Sequence, residues 1–366
     1  MEKARHYILN QMSWIELIEK FQPAKEWIIH NQRTDGSIQW DKKGKVDPWD
    51  HCECLIALAI FEEWDAFDKG VNWFFNELND DGLIFAEYKN SKASKPYYES
   101  HHAPYIALPL LQKLLIDNDA DYFYKRIDGL NKIFNGLSKF INAQGYFSWA
   151  KDSSGYSDNS LITATSSIKI SLDAIEIILS VLLKTKQRHI QKTKNLSDIV
   201  KKVKQDSIDH LYNEPIHFNK QFNRDGIDRS RFSMDFYYPY IADLVRKSSN
   251  SLEAFELDLK KFYVDTIGIK CVEEEPWVTF AESAECIIAI HNFYDKTKAR
   301  AIFDQILKYV SSDGIFSTGY QYKIDEYWPD EKSTWTNAAV IIAAHLLYSD
   351  SGINAFKALS KFHQSN

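Results

Sequence analysis

Apolar residues recur at three- and four-residue spacing along nearly the whole chain, and they predict helices of two kinds. Leu55-Ile56-Ala57-Leu58-Ala59-Ile60-Phe61 and Ala338-Ala339-Val340-Ile341-Ile342-Ala343-Ala344 are apolar on nearly every side, which predicts burial all round. The stretch with Phe67, Val71, Trp73, Phe74, Phe75 and Leu78 carries one apolar stripe, as a helix covering a core does. The two kinds alternate. A first helix over 7–31, interrupted at Pro23, precedes a buried helix at about 49–62 and an amphipathic one at about 65–78. A second buried helix starts at Tyr97-Tyr98-Glu99-Ser100-His101-His102, with a partner at about 121–141. A third runs from Asp158-Asn159-Ser160 to about 184, followed by a Lys-rich amphipathic helix at about 191–211. The fourth spans Met234 to about 247 with a partner at 251–264, the fifth runs from Pro276-Trp277 to about 292, and the sixth is the 338–344 stretch.

A turn with glycine precedes each buried helix. These glycines fall at 36, 82, 145, 226, 268 and 314, so the intervals are 46, 63, 81, 42 and 46 residues. Three of them agree within four residues, the period of a helical-hairpin repeat. Six hairpins can close into a ring, and the expectation is an all-α (α/α)6 toroid with buried helices inside and amphipathic helices outside. An open helical solenoid is the alternative.

Composition narrows the function. Only 13 glycines and 9 prolines among 366 residues, with no linker-like stretch, predict one domain over 1–366. A net charge of -7 without a basic patch excludes nucleic acid as a partner, and no apolar run is long enough to span a membrane. The amino-terminal residues show no signal-peptide pattern, and four cysteines form no disulfide framework, so a cytoplasmic location with a small-molecule substrate is expected. Nothing in the sequence fixes the oligomeric state.

In a closed ring the first turns of the inner helices converge, and they are acidic and aromatic together. Asp50, Asp235, His51, Glu53 and Glu282 are the candidate catalytic residues. Asp47, Trp49, Tyr98, Glu99, His101, His102, Tyr237, Tyr238, Trp277, Asp325, Trp328, Glu331 and Trp335 are the candidate substrate contacts. Structural roles compete. Asp47-Pro48-Trp49-Asp50 also reads as an N-cap, an N1 proline and an acid on the helix dipole; Thr279 and Glu282 have capping-box spacing. The tyrosines could be core. Lys220, Arg224, Arg229 and Arg231 read as a solvated loop nearly neutralised by Asp225 and Asp228. A zinc site at His51, Cys52 and Cys54 is rejected because the cysteines lie about 200° apart on a helix. Adjacent helical residues such as His101 and His102 do not face one target either, so no metal site is predicted.

The turns Asp35-Gly36-Ser37-Ile38-Gln39-Trp40 and Asp313-Gly314-Ile315-Phe316 resemble the repeats of squalene cyclases and protein prenyltransferases. Asp47-Pro48-Trp49-Asp50-His51, Met234-Asp235-Phe236-Tyr237-Tyr238-Pro239, Pro276-Trp277-Val278-Thr279 and Trp328-Pro329-Asp330-Glu331 are similar to bacterial prenyltransferase-like proteins. The Asp-x-Asp-Asp motif of the cyclases and the Asp/Cys/His zinc set of the prenyltransferases are absent. The resemblance implies a terpene cyclase-like or transferase enzyme acting on an isoprenoid. Asp50 or Asp235 would then be the acid, tuned by His51 or Glu53, with no cofactor unless Mg²⁺ accompanies a diphosphate. The rival expectation is a carbohydrate-active (α/α)6 hydrolase, lyase or epimerase, pairing Asp47/Asp50 with Glu282 or Asp330/Glu331. The third is a non-catalytic binding module.

Overall fold

In the computed structural model, which describes residues 13–185, 189–208, 211, 220–349 and 353–365, the turn glycines set the repeat. All six have positive φ, a conformation that a side chain resists. At Gly36 an added Cβ would stand 2.2 Å from the Lys69 carbonyl oxygen, and at Gly82 2.2 Å from that of Lys132. Each of these turns is thus pressed onto the backbone of the following outer helix.

The helices are α1 (Trp14–Lys20), α2 (Gln22–His30), α3 (Pro48–Ile60), α4 (Trp64–Asn76), α5 (Ala107–Asp117), α6 (Ala120–Tyr124), α7 (Ile127–Ser138) and α8 (Ile162–Thr185). After them come α9 (Ile190–Val203), α10 (Ser233–Ile241), α11 (Ser249–Phe262), α12 (Phe280–Ala289), α13 (Lys296–Ile306), α14 (Thr334–Tyr348) and α15 (Ala355–Ser365). The inner ring is α3, α5, α8, α10, α12 and α14, each packed on the next and α14 on α3. The ring closes. This is the (α/α)6 toroid, and the open solenoid is excluded. The sixth turn closes the outer layer too, because a Cβ on Gly314 would meet the Pro23 ring of α2 at 2.7 Å. Asn337 of α14 holds that turn by accepting from Phe316 N–H and donating to its carbonyl oxygen.

Residues 7–12 of the segment expected at 7–31, and 209 and 210 of the one expected at 191–211, lie outside the described residues. Of the rest, 14–30 is divided at Phe21, and 121–141 is divided into α6 and α7. Among the described residues, no helix is long and apolar enough to cross a membrane.

Short antiparallel strands knit the loops ahead of the inner helices. β1 (Lys45–Val46), β2 (Glu87–Lys89) and β3 (Lys92–Lys95) form one sheet; β4 (Tyr98–Glu99), β5 (Ala150–Asp152) and β6 (Gly155–Tyr156) form another. β7 (Tyr263–Val264), β8 (Gly268–Lys270), β9 (Trp277–Thr279), β10 (Gly319–Gln321) and β11 (Glu326–Tyr327) form the third, paired in chain order. Two expected helix starts are therefore strands. Tyr98 and Glu99 pair with Lys151 and Ala150, and the chain becomes helical only after a turn and a 3-10 segment at Pro104–Ile106. Trp277 pairs with Gln321, so the fifth inner helix begins at Phe280.

Candidate active site at the mouth of the ring

Asp47 caps α3 by accepting from the Trp49 N–H at 2.9 Å, with Pro48 in the first turn, as the sequence predicts. The cap aims Trp49 and Asp50 into the mouth. Trp49 lies against His101, Tyr105 and Tyr238, with ring centres 4.7, 5.3 and 5.4 Å away. Its indole Nε1–H is buried without an acceptor. Asp50, half-buried, has no hydrogen-bond partner among the described residues. Burial pushes its carboxyl well above the usual carboxylate range; Asp47 adds to this, Lys45 opposes it, and Glu53 and Glu282 add further. Asp50 therefore shares one electrostatic environment with a carboxyl from the fifth inner helix.

The surrounding acids are tied to donors. Glu53, one turn along α3, accepts from the Tyr105 hydroxyl at 2.5 Å; burial raises it to about 7, against the lowering pull of that bond. Glu285 of α12 accepts from the hydroxyls of Tyr237 and Tyr238. Burial and the Glu53 charge raise it well above its ordinary value. Asp235 of α10 pairs with Arg229 Nε at 2.8 Å and accepts from the Thr163 hydroxyl.

Glu282 is different. Thr279 precedes α12, but its backbone is held in β9 between Ile269 and Gly319 and its hydroxyl makes no cap. The expected capping box does not form. Neither Thr279 Oγ1 nor Glu282 Oε2 makes a well-formed hydrogen bond among the described residues; burial raises the Glu282 carboxyl, while the Thr279 hydroxyl and the Cys271 thiol beside it pull the other way.

Other predicted residues lie away from this cluster. His51 faces the outer layer: Nδ1 accepts from Ile38 N–H, and Nε2, 3.1 Å from the Gly70 carbonyl oxygen, donates to it. Burial lowers the imidazole to about 4. Both nitrogens are committed to backbone, so His51 braces α3 against α4 and does not tune Asp50. Tyr98 stacks on Phe85 at 4.7 Å. Trp277 donates from Nε1 to the Trp328 carbonyl oxygen, while Asp325, Trp328 and Asp330 are exposed on the rim. Asp325 accepts from the Tyr320 hydroxyl. Glu331 accepts from Trp40 Nε1 and Thr318 Oγ1, and Trp335 packs on Trp40 with 5.5 Å between rings. The Asp330/Glu331 pair is thus rim structure.

His101 and His102 are both buried, not on a helix but in the turn after β4. Burial, then His102 and Arg224, push the His101 imidazole well below its ordinary value. Tyr105, Thr163 and Lys45 were not among the residues expected at the mouth, Glu285 was expected only as a lining acid of the fifth unit, and Arg229 was expected in a solvated loop. Glu285 carried a signal, since it stands three residues after Glu282 and so on the same helix face. Lys45 carried one too, two residues ahead of Asp47; its own burial lowers the ammonium, but the charges of Asp50 and Asp47 beside it outweigh this and raise it.

No family model matches the chain. An MMP endo-(1,4)-3-O-methyl-alpha-D-mannosidase of Mycolicibacterium hassiacum is 25% identical over 329 residues, covering 90% of this chain and 86% of the relative. Among solved structures, a glycosidase in complex with glucose superposes with a TM-score of 0.65 at 11% identity, over 90% of this chain and 96% of the other. A D-mannose isomerase gives 0.58 at 13% identity, over 90% and 96%. These likenesses carry the toroid fold. They overturn the resemblance to prenyltransferase-like and squalene-cyclase-like proteins, and with it the isoprenoid cyclase or transferase expectation: the relative aligned along nearly the whole chain is a mannosidase. The turn and aromatic motifs that suggested it belong to the fold, which many chemistries share.

Proposed function

We propose that the chain is a carbohydrate-active enzyme that hydrolyses an α-linked oligosaccharide of the mannose or glucose type between Asp50 and Glu282. The observation that carries this is the pair itself. Asp50, which makes no side-chain hydrogen bond among the described residues, and Glu282, whose Oε2 makes none, act on one another electrostatically, while Glu53, Glu285, Asp235 and Asp47 are each tied to a firm donor. The mannosidase relative supports the substrate class.

Glycoside cleavage needs one carboxylic acid to protonate the leaving oxygen and a second carboxylate to activate water or attack carbon. Asp50, whose proton is held by burial and by the neighbouring negative charges, is the acid. Glu282 is its partner. Trp49 offers an aromatic wall to a sugar ring, and Tyr238, packed against it, holds Glu285 together with Tyr237.

The test is hydrolysis of α-(1,4)-linked manno- and gluco-oligosaccharides, plain and 3-O-methylated, with the product anomer followed by NMR. Asp50→Asn and Glu282→Gln are each expected to lower kcat by about 10²- to 10⁴-fold with the fold intact. Full turnover by either folded variant overturns the assignment.

A further inference from the structure

We propose that Glu99, His101 and His102, with the charge of Asp47 beside them, form a binding site for a divalent transition-metal ion at the mouth of the ring. The site is built from two buried imidazoles that make no hydrogen bond among the described residues. His101 and His102 are each 2% exposed, with ring centres 4.5 Å apart. Nδ1 of both is buried without a hydrogen-bond partner. Each Nε2 stands 3.8 Å from Glu99 Oε2, and His102 Nε2 is also 3.8 Å from Asp47 Oδ1. That is too long for a hydrogen bond. One donor atom from each of Glu99, His101 and His102 fits within 4.8 Å of the others.

Ligands about 2.1 Å from one ion stand roughly 3.0–3.5 Å apart in octahedral or tetrahedral geometry, so the two 3.8 Å contacts to Glu99 need only a small closure, and the two imidazole nitrogens, within 4.8 Å of each other, set the larger adjustment. The nitrogens that meet the ion are the Nε2 atoms turned toward Glu99, so the ligating form of each ring is the neutral tautomer with its proton on Nδ1. Two carboxylates offset the double charge and the positive charge of Arg224, which stacks over Trp149 at 4.5 Å. Imidazole with carboxylate suits Zn²⁺, Mn²⁺ or Fe²⁺ better than an all-oxygen ion such as Ca²⁺.

Local structure holds the ligands in place. β4 pairs Glu99 with Ala150, Ser100 N–H donates to the Trp149 carbonyl oxygen at 3.0 Å, and the Tyr97 hydroxyl donates to Glu99 Oε1, leaving Oε2 for the ion. The premise that kept His101 and His102 from one target was a helix, and they lie in a turn. Metal binding does not depend on the substrate proposed above. If that substrate is right, the ion lies beside Asp47, next to the acid pair, where vicinal sugar hydroxyls can complete its coordination.

The full chain, stripped with chelator and desalted, is titrated with Zn²⁺ alone and with Co²⁺ alone, without sugar. One equivalent is expected to bind, with visible Co²⁺ bands and with shifts of the His101 and His102 imidazole NMR signals. Glu99→Gln and His102→Gln are each expected to weaken binding by more than roughly tenfold, the upper end being that of a lost ligand and the lower that of an outer partner. Binding undiminished in folded His101→Gln/His102→Gln protein overturns the site. So does a millimolar excess of Zn²⁺ that leaves both imidazole signals of the wild type unmoved, a readout that needs no variant. A wild-type protein that binds Zn²⁺ but hydrolyses none of the oligosaccharides counts against the glycoside proposal alone.

Discussion

Glu53 shows how one residue at the mouth is set by opposed forces. Burial raises it from an ordinary 4.5 to about 7, and the Tyr105 hydroxyl, by donating to the ionised form, pulls the other way. A carboxyl raised by folding binds its proton more tightly in the folded chain than in the unfolded one. Its contribution to stability is therefore fully present below about 4.5 and is lost as pH rises through about 7. Tyr105→Phe removes the donor and should move the upper end of that window higher by roughly 1–2 pH units, the worth of a hydrogen bond to a charged group. Thermal unfolding of the wild type and the variant across that range measures it, and coincident pH profiles would show that Tyr105 does not set this carboxyl. At this scale Asp47, Trp49, Asp50, Glu53 and Glu282 were legible as mouth residues, because acids and aromatics in the first turns of buried helices are unusual in a plain core. The roles of His51 and Asp235 were not legible. Their partners, Ile38 N–H and the Gly70 carbonyl oxygen for His51, Arg229 and Thr163 for Asp235, come from other elements and are fixed only by packing.

At the scale of elements, periodicity identified the inner helices because they are apolar on all sides, and the turn glycines marked where each unit begins. What escaped was the strand character of Tyr98–Glu99 and Trp277–Thr279. Strands of two or three residues leave no alternation to read, and their pairing partners lie in the neighbouring unit's loop. Those strands fix Glu99 beside the histidines and release Glu282 from the capping box, so the missed elements are the ones that shape the site. The turn glycines differ in what holds them, and this separates two costs. Gly82→Ala must pay for positive φ and for a Cβ 2.2 Å from the Lys132 carbonyl oxygen, whereas Gly226→Ala, with nothing within 4 Å, meets only the backbone cost. Urea denaturation should show Gly226→Ala destabilised by about 1–2 kcal/mol and Gly82→Ala by distinctly more. Equal losses would mean that the turn is not wedged against α7.

At the scale of the whole molecule, the ring has an open end bearing the acid cluster and an opposite end crossed by α15. Gln112 of α5 accepts from the Ala355 N–H, and Asn354 lies 3.2 Å from His345 of α14. The firmest tie is electrostatic. Asp173, fully buried midway along α8, meets Lys169 on its own helix, Lys204 Nζ at 3.2 Å and His363 Nε2 of α15 at 2.8 Å. Burial works to raise the Asp173 carboxyl, but His363, Lys169 and Lys204 outweigh it and hold it below 3.8. A lowered carboxyl gives stability above its ordinary value that is lost as pH falls through the folded one, so this tie is intact at neutral pH. Asp173→Asn takes the carboxylate away from a lysine that is itself only 2% exposed, and breaking such a buried pair costs about 3–5 kcal/mol. The variant should unfold at lower denaturant, and amide hydrogens of Ala355–Ser365 should exchange faster at neutral pH. Asp243→Asn is the control, because that half-exposed carboxyl stands 4.0 Å from His363, well beyond the 2.8 Å of Asp173. Exchange in α15 that is unchanged in Asp173→Asn, or that rises equally in both variants, would mean that the helix is held by its apolar face, Phe356 and Leu359, and not by the ion pair beneath it.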